Sequence, residues 1–132
     1  MEAITEAIII GQSGTATTTV TNQNTARTVG SGSLDVFSTP MMIALMEAAA
    51  CQAIEKNLSP EESTVGINVN IQHTKPSGLG DTITATATVT EVNGKKITFT
   101  IIASDSTGQI GNGTHARFII NATRFMEKLE QR

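Results

Sequence analysis

Apolar and polar positions alternate through most of the second half of the chain. In DTITATATVTEV, residues 81–92, Ile83, Ala85, Ala87 and Val89 stand against Thr82, Thr84, Thr86, Thr88 and Thr90. A period of two rich in β-branched residues predicts a strand with one apolar and one solvated face. KKITFTIIAS (95–104) points Ile97, Phe99, Ile101 and Ala103 one way, and TVGINVNIQHT (64–74) does the same with Val65, Ile67, Val69, Ile71 and His73. That second face is expected to pack on a helix. SGTATTTVT (13–21) reads as a further strand, and QIGNGTHARFIINA (109–122) as the last. The glycines of the last strand mark a bulge or a close approach of another backbone. Asn93-Gly94 predicts a type I′ hairpin, and Asp105–Gly108 a second turn.

One stretch breaks the alternation. STPMMIALMEAAACQAIE, Ser38 to Glu55, is apolar or small almost throughout and made of good helix formers. Thr39 is the expected N-cap, with Pro40 at the first helical position and an end near Asn57–Leu58, before Pro60. A helix apolar nearly all round is expected to be enclosed. The Gly/Ser-rich segment 22–37 reads as a loop, and residues 1–12 as a short helix or a strand. The order is therefore strand, buried helix, then four antiparallel strands. A sheet with one apolar face must cover something, and the helix is the only candidate. This predicts an α+β hotdog fold, an antiparallel sheet wrapped around one long helix, as a single domain over residues 1–132.

Composition narrows the function classes. The 132 residues carry a net charge of −3, with no Tyr or Trp and basic residues scattered along the chain. Neither an electrostatic footprint nor stacking platforms for nucleic acid are present. No apolar run reaches the ~20 residues of a membrane span. MEAITEAIII has no basic n-region, so a cytoplasmic setting is expected. The lone Cys51 makes no internal disulfide, and no Cys/His spacing suggests a metal.

Glu47 is the anomaly: a single carboxylate in the middle of an apolar helix. It must find a tertiary partner or shift its pKa, and a general base or nucleophile is the functional reading. His73, at the end of an apolar strand face, is a potential acid–base partner. Thr39 lies eight residues before Glu47, ~12 Å along the axis, so the two cannot touch within one helix. A shared site needs another segment or a second subunit, which points to a symmetric dimer. Cys51 reads as inert core. His115 and Arg117, on the face opposite Phe118, read as surface or ligand contacts.

VFSTPMMIALMEAAACQAI, VGINVNIQHTKPSGLGD, VNGKKITFTIIASD and IGNGTHARF together resemble the hotdog thioesterases of the fluoroacetyl-CoA thioesterase type. The resemblance rests most on the spacing of Thr39, Glu47 and His73. It implies that these three are the catalytic set, that Gly66 lines the acyl pocket, that Phe37 and Arg117 contact substrate, and that the protein is a homodimer. It further implies hydrolysis of a short- or medium-chain acyl-CoA to free acid and CoA, with CoA as part of the substrate and no separate cofactor. Lys75, Lys95, Lys96 and Arg117 are candidates for the CoA phosphates. This chain has only Phe37 before the helix where the fluoroacetyl-specific enzyme has several gating aromatics. A hotdog enoyl-CoA hydratase or dehydratase, and a non-catalytic acyl-CoA-binding dimer, are the alternatives.

Overall fold

The computed structural model describes residues 7–132. The expected element over 1–12 lies for residues 1–6 outside the described part, and residues 7–12 form neither helix nor strand. The elements are β1 (Ser13–Thr19), α1 (Ala26–Val29), α2 (Thr39–Ile54), β2 (Glu62–His73), β3 (Thr82–Asn93), β4 (Lys96–Asp105), β5 (Gly108–Asn121) and α3 (Ala122–Glu130). A 3-10 turn, Glu55–Asn57, prolongs α2 to the expected end. One antiparallel sheet runs β1-β3-β4-β5-β2, with α2 against it: the hotdog arrangement. α1 lies inside the segment expected to be a loop, and α3 follows the last expected strand.

The core follows the predicted alternation in β3 and β4. Ile83, Ala85, Ala87 and Val89 of β3, and Ile97, Phe99, Ile101 and Ala103 of β4, are all buried. They meet Met42, Met46, Ala49, Ala50, Ala53 and Ile54 of α2, a stripe of i, i+4, i+7, i+8 spacing. Each large side chain so covered contributes roughly 1.5–3 kcal/mol. The helix is not enclosed all round, however. Its opposite face, with Met41, Ala44 and Ala48, is exposed, because one five-stranded sheet covers only one side. The threonine-rich face of the sheet is solvated as expected.

Two irregularities change the predicted faces of β2, an edge strand, and of β5, an inner one. In β2 the register with β5 shifts between Gly66 and Asn68, so Ile67 is an extra residue. Such a bulge reverses which side chains face inward. Thr64 and Gly66 face in before it and Val69, Ile71 and His73 after it. Val65 pairs with the outward Phe118 and Ile67 is 49% exposed, whereas Val69 keeps the inner face but is 44% exposed at the sheet edge. In β5 the register shifts opposite Ala103/Ser104, leaving Ile110 as the extra residue. Inward positions thereby pass from Ile110 to Gly113, His115 and Arg117, while Phe118 faces out. The Asn93-Gly94 hairpin is present, but its two-residue loop is Gly94-Lys95. Gly94 has φ +62° and, among the described residues, no non-glycine has positive φ, the pattern of a II′ turn rather than I′. The β5 glycines do mark close approach: a Cβ at Gly111 would strike the Met42 side chain.

Gly14 fixes how near the helix comes to β1. A Cβ there would collide with the backbone N of Ala53 and the Gln52 amide, and backbone cannot yield cheaply. Gly14→Val is therefore expected to lower stability by about 1–3 kcal/mol. Urea unfolding checks this, with a lower midpoint at unchanged slope. An unchanged midpoint would show that β1 does not set the position of the helix.

Candidate active site

Ser38, not Thr39, caps α2: its hydroxyl accepts from the N–H of Met41. Thr39 becomes the first helical residue, and this frees its hydroxyl. Thr39 Oγ1 lies 2.8 Å from Nδ1 of His73, across the junction of the helix start and the end of β2. Nε2 of His73 is buried and has no hydrogen-bond partner among the described residues. Burial pushes this imidazole below its ordinary pKa. A buried polar atom without a partner is rare in proteins, and a site for a ligand is one explanation.

Beside this pair is a cavity of about 300 Å³, lined by Ala26, Ser31, Val36, Phe37, Thr39, His73 and Lys75, among others. Phe37 is fully buried and pinned by a bridge to Thr25, so it forms a fixed wall. A second cavity, of about 210 Å³, lies behind Phe37 along Met41, Ala44, Leu45 and Ala48. Ser38 also takes up the N–H of Met42 through its carbonyl, and Pro40 has none. The Thr39 N–H is thus the one donor of the first turn left without a partner among the described residues.

Glu47 stands elsewhere, two turns along α2, and it is not alone. Nη1 of Arg117 donates to its Oε2 at 3.1 Å, and Nε2 of His115 lies 3.8 Å from the same oxygen. The expected pairing of Glu47 with His73 does not occur within one chain. The carboxyl side chain is 39% exposed, whereas Arg117 and His115 are 8% and 1% exposed. The reading of His115 and Arg117 as surface residues is therefore wrong. It took Phe118 for the core side of β5, and the bulge at Ile110 puts the other side inward. Buried as it is, Arg117 does not reach out to phosphates. Its guanidinium is used up inside: Nε to Thr64 Oγ1 at 2.9 Å and Nη2 to the Thr64 carbonyl at 3.1 Å.

Gly66 is part of this second cluster, not of the cavity beside His73. A Cβ on it would come within 2.8 Å of Glu47 Oε2 and 3.3 Å of Arg117 Nη1. Its lack of a side chain is what admits the ion pair. Cys51 is free and half-buried on the same helix. Lys75 lines the first cavity and donates to Thr107 at 3.1 Å. Among the described residues no group of His, Cys, Asp and Glu could hold a metal ion, and no helix is long and apolar enough to cross a membrane.

Two separate clusters result: Thr39 with His73 beside a cavity, and Glu47 with Arg117, His115 and Gly66. Along α2 they are ~12 Å apart. Along β2, Gly66 and His73 are seven residues apart, ~23 Å.

Comparison with known proteins gives a consistent answer. The family model described as fluoroacetyl-CoA-specific thioesterase matches residues 20–123. The fluoroacetyl-CoA thioesterase of Streptantibioticus cattleyicolor is 35% identical over 98 residues, 74% of this chain and 70% of that protein. A variant of the fluoroacetyl-CoA-specific thioesterase, crystallised with fluoroacetate and CoA, superposes with a TM-score of 0.85. It is 30% identical, and the match covers 89% of this chain and 99% of that one. A hot-dog-like protein from Thermanaerovibrio acidaminovorans shares the fold, with a TM-score of 0.84 at 23% identity over 93% and 91% of the two chains.

The two histidines make stability depend on pH. Burial lowers the pKa of both from the ordinary 6.5; the carbonyl of Asn68 opposes this at His115 and the nearby Arg117 adds to it. The unfolded chain takes up these protons first as pH falls. Their contribution is thus complete above about pH 6.5 and is lost on acidification toward the folded values. The urea midpoint is expected to fall between about pH 7.5 and pH 5. The double variant His73→Asn/His115→Gln should show a flatter profile, and an equally steep one would contradict the assignment.

Proposed function

We propose that this chain, which belongs to the fluoroacetyl-CoA-specific thioesterase family and is a thioester hydrolase, cleaves a short-chain acyl-CoA to the free acid and CoA at a site shared between two copies of itself. The observation that carries the reading is the Thr39–His73 hydrogen bond beside a cavity, with the buried Nε2 of His73 unpartnered. A thioester needs a group to attack its carbonyl, donors for the developing oxyanion and a proton for the departing thiolate. Glu47 attacks the carbonyl or activates a water. His73 serves as the acid–base group, and the Thr39 hydroxyl positions the thioester. The Thr39 N–H, at the positive end of α2, is the candidate oxyanion donor.

The second copy joins the half-sites. β2 is a sheet edge twelve residues long, with exposed Ile67 and Val69, and an edge of that kind is a template for another strand. Antiparallel self-pairing centred near Asn70 sets the Gly66–Ile67 bulge opposite the partner's His73. Glu47, which packs on Gly66, then faces the partner's Thr39 and His73 on the same side of the joined sheet. The same pairing brings a second chain toward the bare Met41, Ala44 and Ala48 face of α2. A cavity of about 300 Å³ is at the small end of ligand pockets, which favours a short acyl group over a medium one. CoA itself lies outside the cavity, where Lys75 is the nearest candidate for a phosphate.

Free-thiol release across a panel of acyl-CoAs of rising chain length tests this reading. Wild type is expected to prefer the shortest chains. Glu47→Gln, which keeps an acceptor for Arg117 but removes the charge, should lose about 10²–10⁴-fold in kcat. An enoyl-CoA whose absorbance disappears without thiol release would point to a hydratase. Binding without turnover would point to a carrier.

A further inference from the structure

We propose that His115 is a positioning residue: it locks the Arg117 guanidinium, which holds Oε2 of Glu47 and leaves Oε1 as the oxygen available for chemistry. The inference rests on the hydrolase reading of the Glu47 site and adds to it a residue that the reading did not use.

The hydrogen-bond partners fix the state of the ring. Nδ1 of His115 lies 2.7 Å from the carbonyl oxygen of Asn68, and a carbonyl can only accept. Nδ1 therefore carries the proton. Nε2 lies 3.2 Å from Nη1 of Arg117, and a guanidinium can only donate. Nε2 therefore presents its lone pair. Both conditions hold together only for the neutral Nδ1–H tautomer. The ring is itself immobile, being 1% exposed and stacked on Phe99 with centroids 6.2 Å apart.

The guanidinium then has little freedom. Its Nε and Nη2 are bound to Thr64, and the two N–H groups of Nη1 go to His115 Nε2 and Glu47 Oε2. Four of its five donors are thus directed, and the plane of the fork is set from three sides. Glu47 Oε2 receives the last of these contacts, while Oε1 has no hydrogen bond among the described residues. An exposed glutamate on a helix ordinarily samples several rotamers. Here one oxygen is anchored against Gly66 and the other is presented in a fixed direction. The Ile67 bulge is what brings the Asn68 carbonyl to His115, so the backbone irregularity and the side-chain order form one device.

Two variants separate positioning from packing. His115→Phe keeps the ring and its stacking but removes the acceptor, and His115→Gln supplies an amide oxygen toward Arg117. The expected result for His115→Phe is a kcat lower by about 10- to 100-fold with KM changed by less than about twofold. His115→Gln should restore most of the loss. A second measurement does not depend on turnover. Long-range 1H–15N NMR of the wild-type protein should show His115 as Nδ1–H with unprotonated Nε2. The Arg117 Nε–H should exchange slowly in wild type and His115→Gln. An Nε2–H tautomer overturns the inference, as does a His115→Phe variant with wild-type kcat or with only KM altered. If wild type releases no thiol from any acyl-CoA, the hydrolase reading fails instead, and the NMR result still decides whether His115 orders Arg117. Should His115→Phe not fold, the tautomer and His115→Gln carry the test.

Discussion

A guanidinium taken out of water has to be matched by acceptors, and this requirement organises the part of the fold where α2 meets β2 and β5. Arg117 is on the inner face of the sheet, nearly covered. Removing its partners would leave an uncompensated buried charge, a loss of about 3–5 kcal/mol in comparable pairs. Every nearby irregularity supplies such a partner. The β5 bulge at Ile110 turns Arg117 inward, the absent side chain of Gly66 admits the carboxylate, and Glu47 is the one acid of α2 that reaches it. The acid on the apolar helix is therefore not an anomaly of α2. It is the counter-ion of a cation on β5, seventy residues later in the chain.

Local pattern carried the architecture. In β3 and β4 every residue expected inward is buried, because both strands are covered on one face and solvated on the other, with no bulge inside the predicted apolar runs. The hotdog order of elements and the resemblance carried by the four quoted segments were legible for the same reason. The faces of β2 and β5 were not. A single extra residue at Ile67 or Ile110 reverses the alternation, and neither position advertises itself by composition. Glycines around Ile110 were the available signal, and they predict a bulge or a close approach without saying which face each later side chain takes. His115 was missed as a consequence, since Phe118 was the more obvious core residue. The Thr39 cap failed for a subtler reason: Ser38 and Thr39 are both good caps, and only the tertiary contact with His73 distinguishes them. The short α1 lay within a Gly/Ser-rich segment and left no periodic trace. For α3 the trace existed, in an Asn121 cap and apolar Phe125, Met126 and Leu129, but on a helix with no buried residue.

The spacing arithmetic was the part of the site that sequence alone reached. Eight residues of helix separate Thr39 from Glu47, and the folded chain gives each its own neighbours. On the proposed dimer, each site takes Thr39 and His73 from one copy and Glu47, Arg117 and His115 from the other. The strand edge, the bare face of α2 and the split site then have one common cause.

Mixing two inactive variants tests that claim most directly. Thr39→Ala supplies an intact Glu47 half, and Glu47→Gln supplies an intact Thr39–His73 half. After subunit exchange, half of the dimers are mixed and each has one complete site, so about a quarter of wild-type thiol release should return. If the mixture stays as inactive as its components while exchange is shown to occur, each site lies within one chain and the shared-site account is wrong.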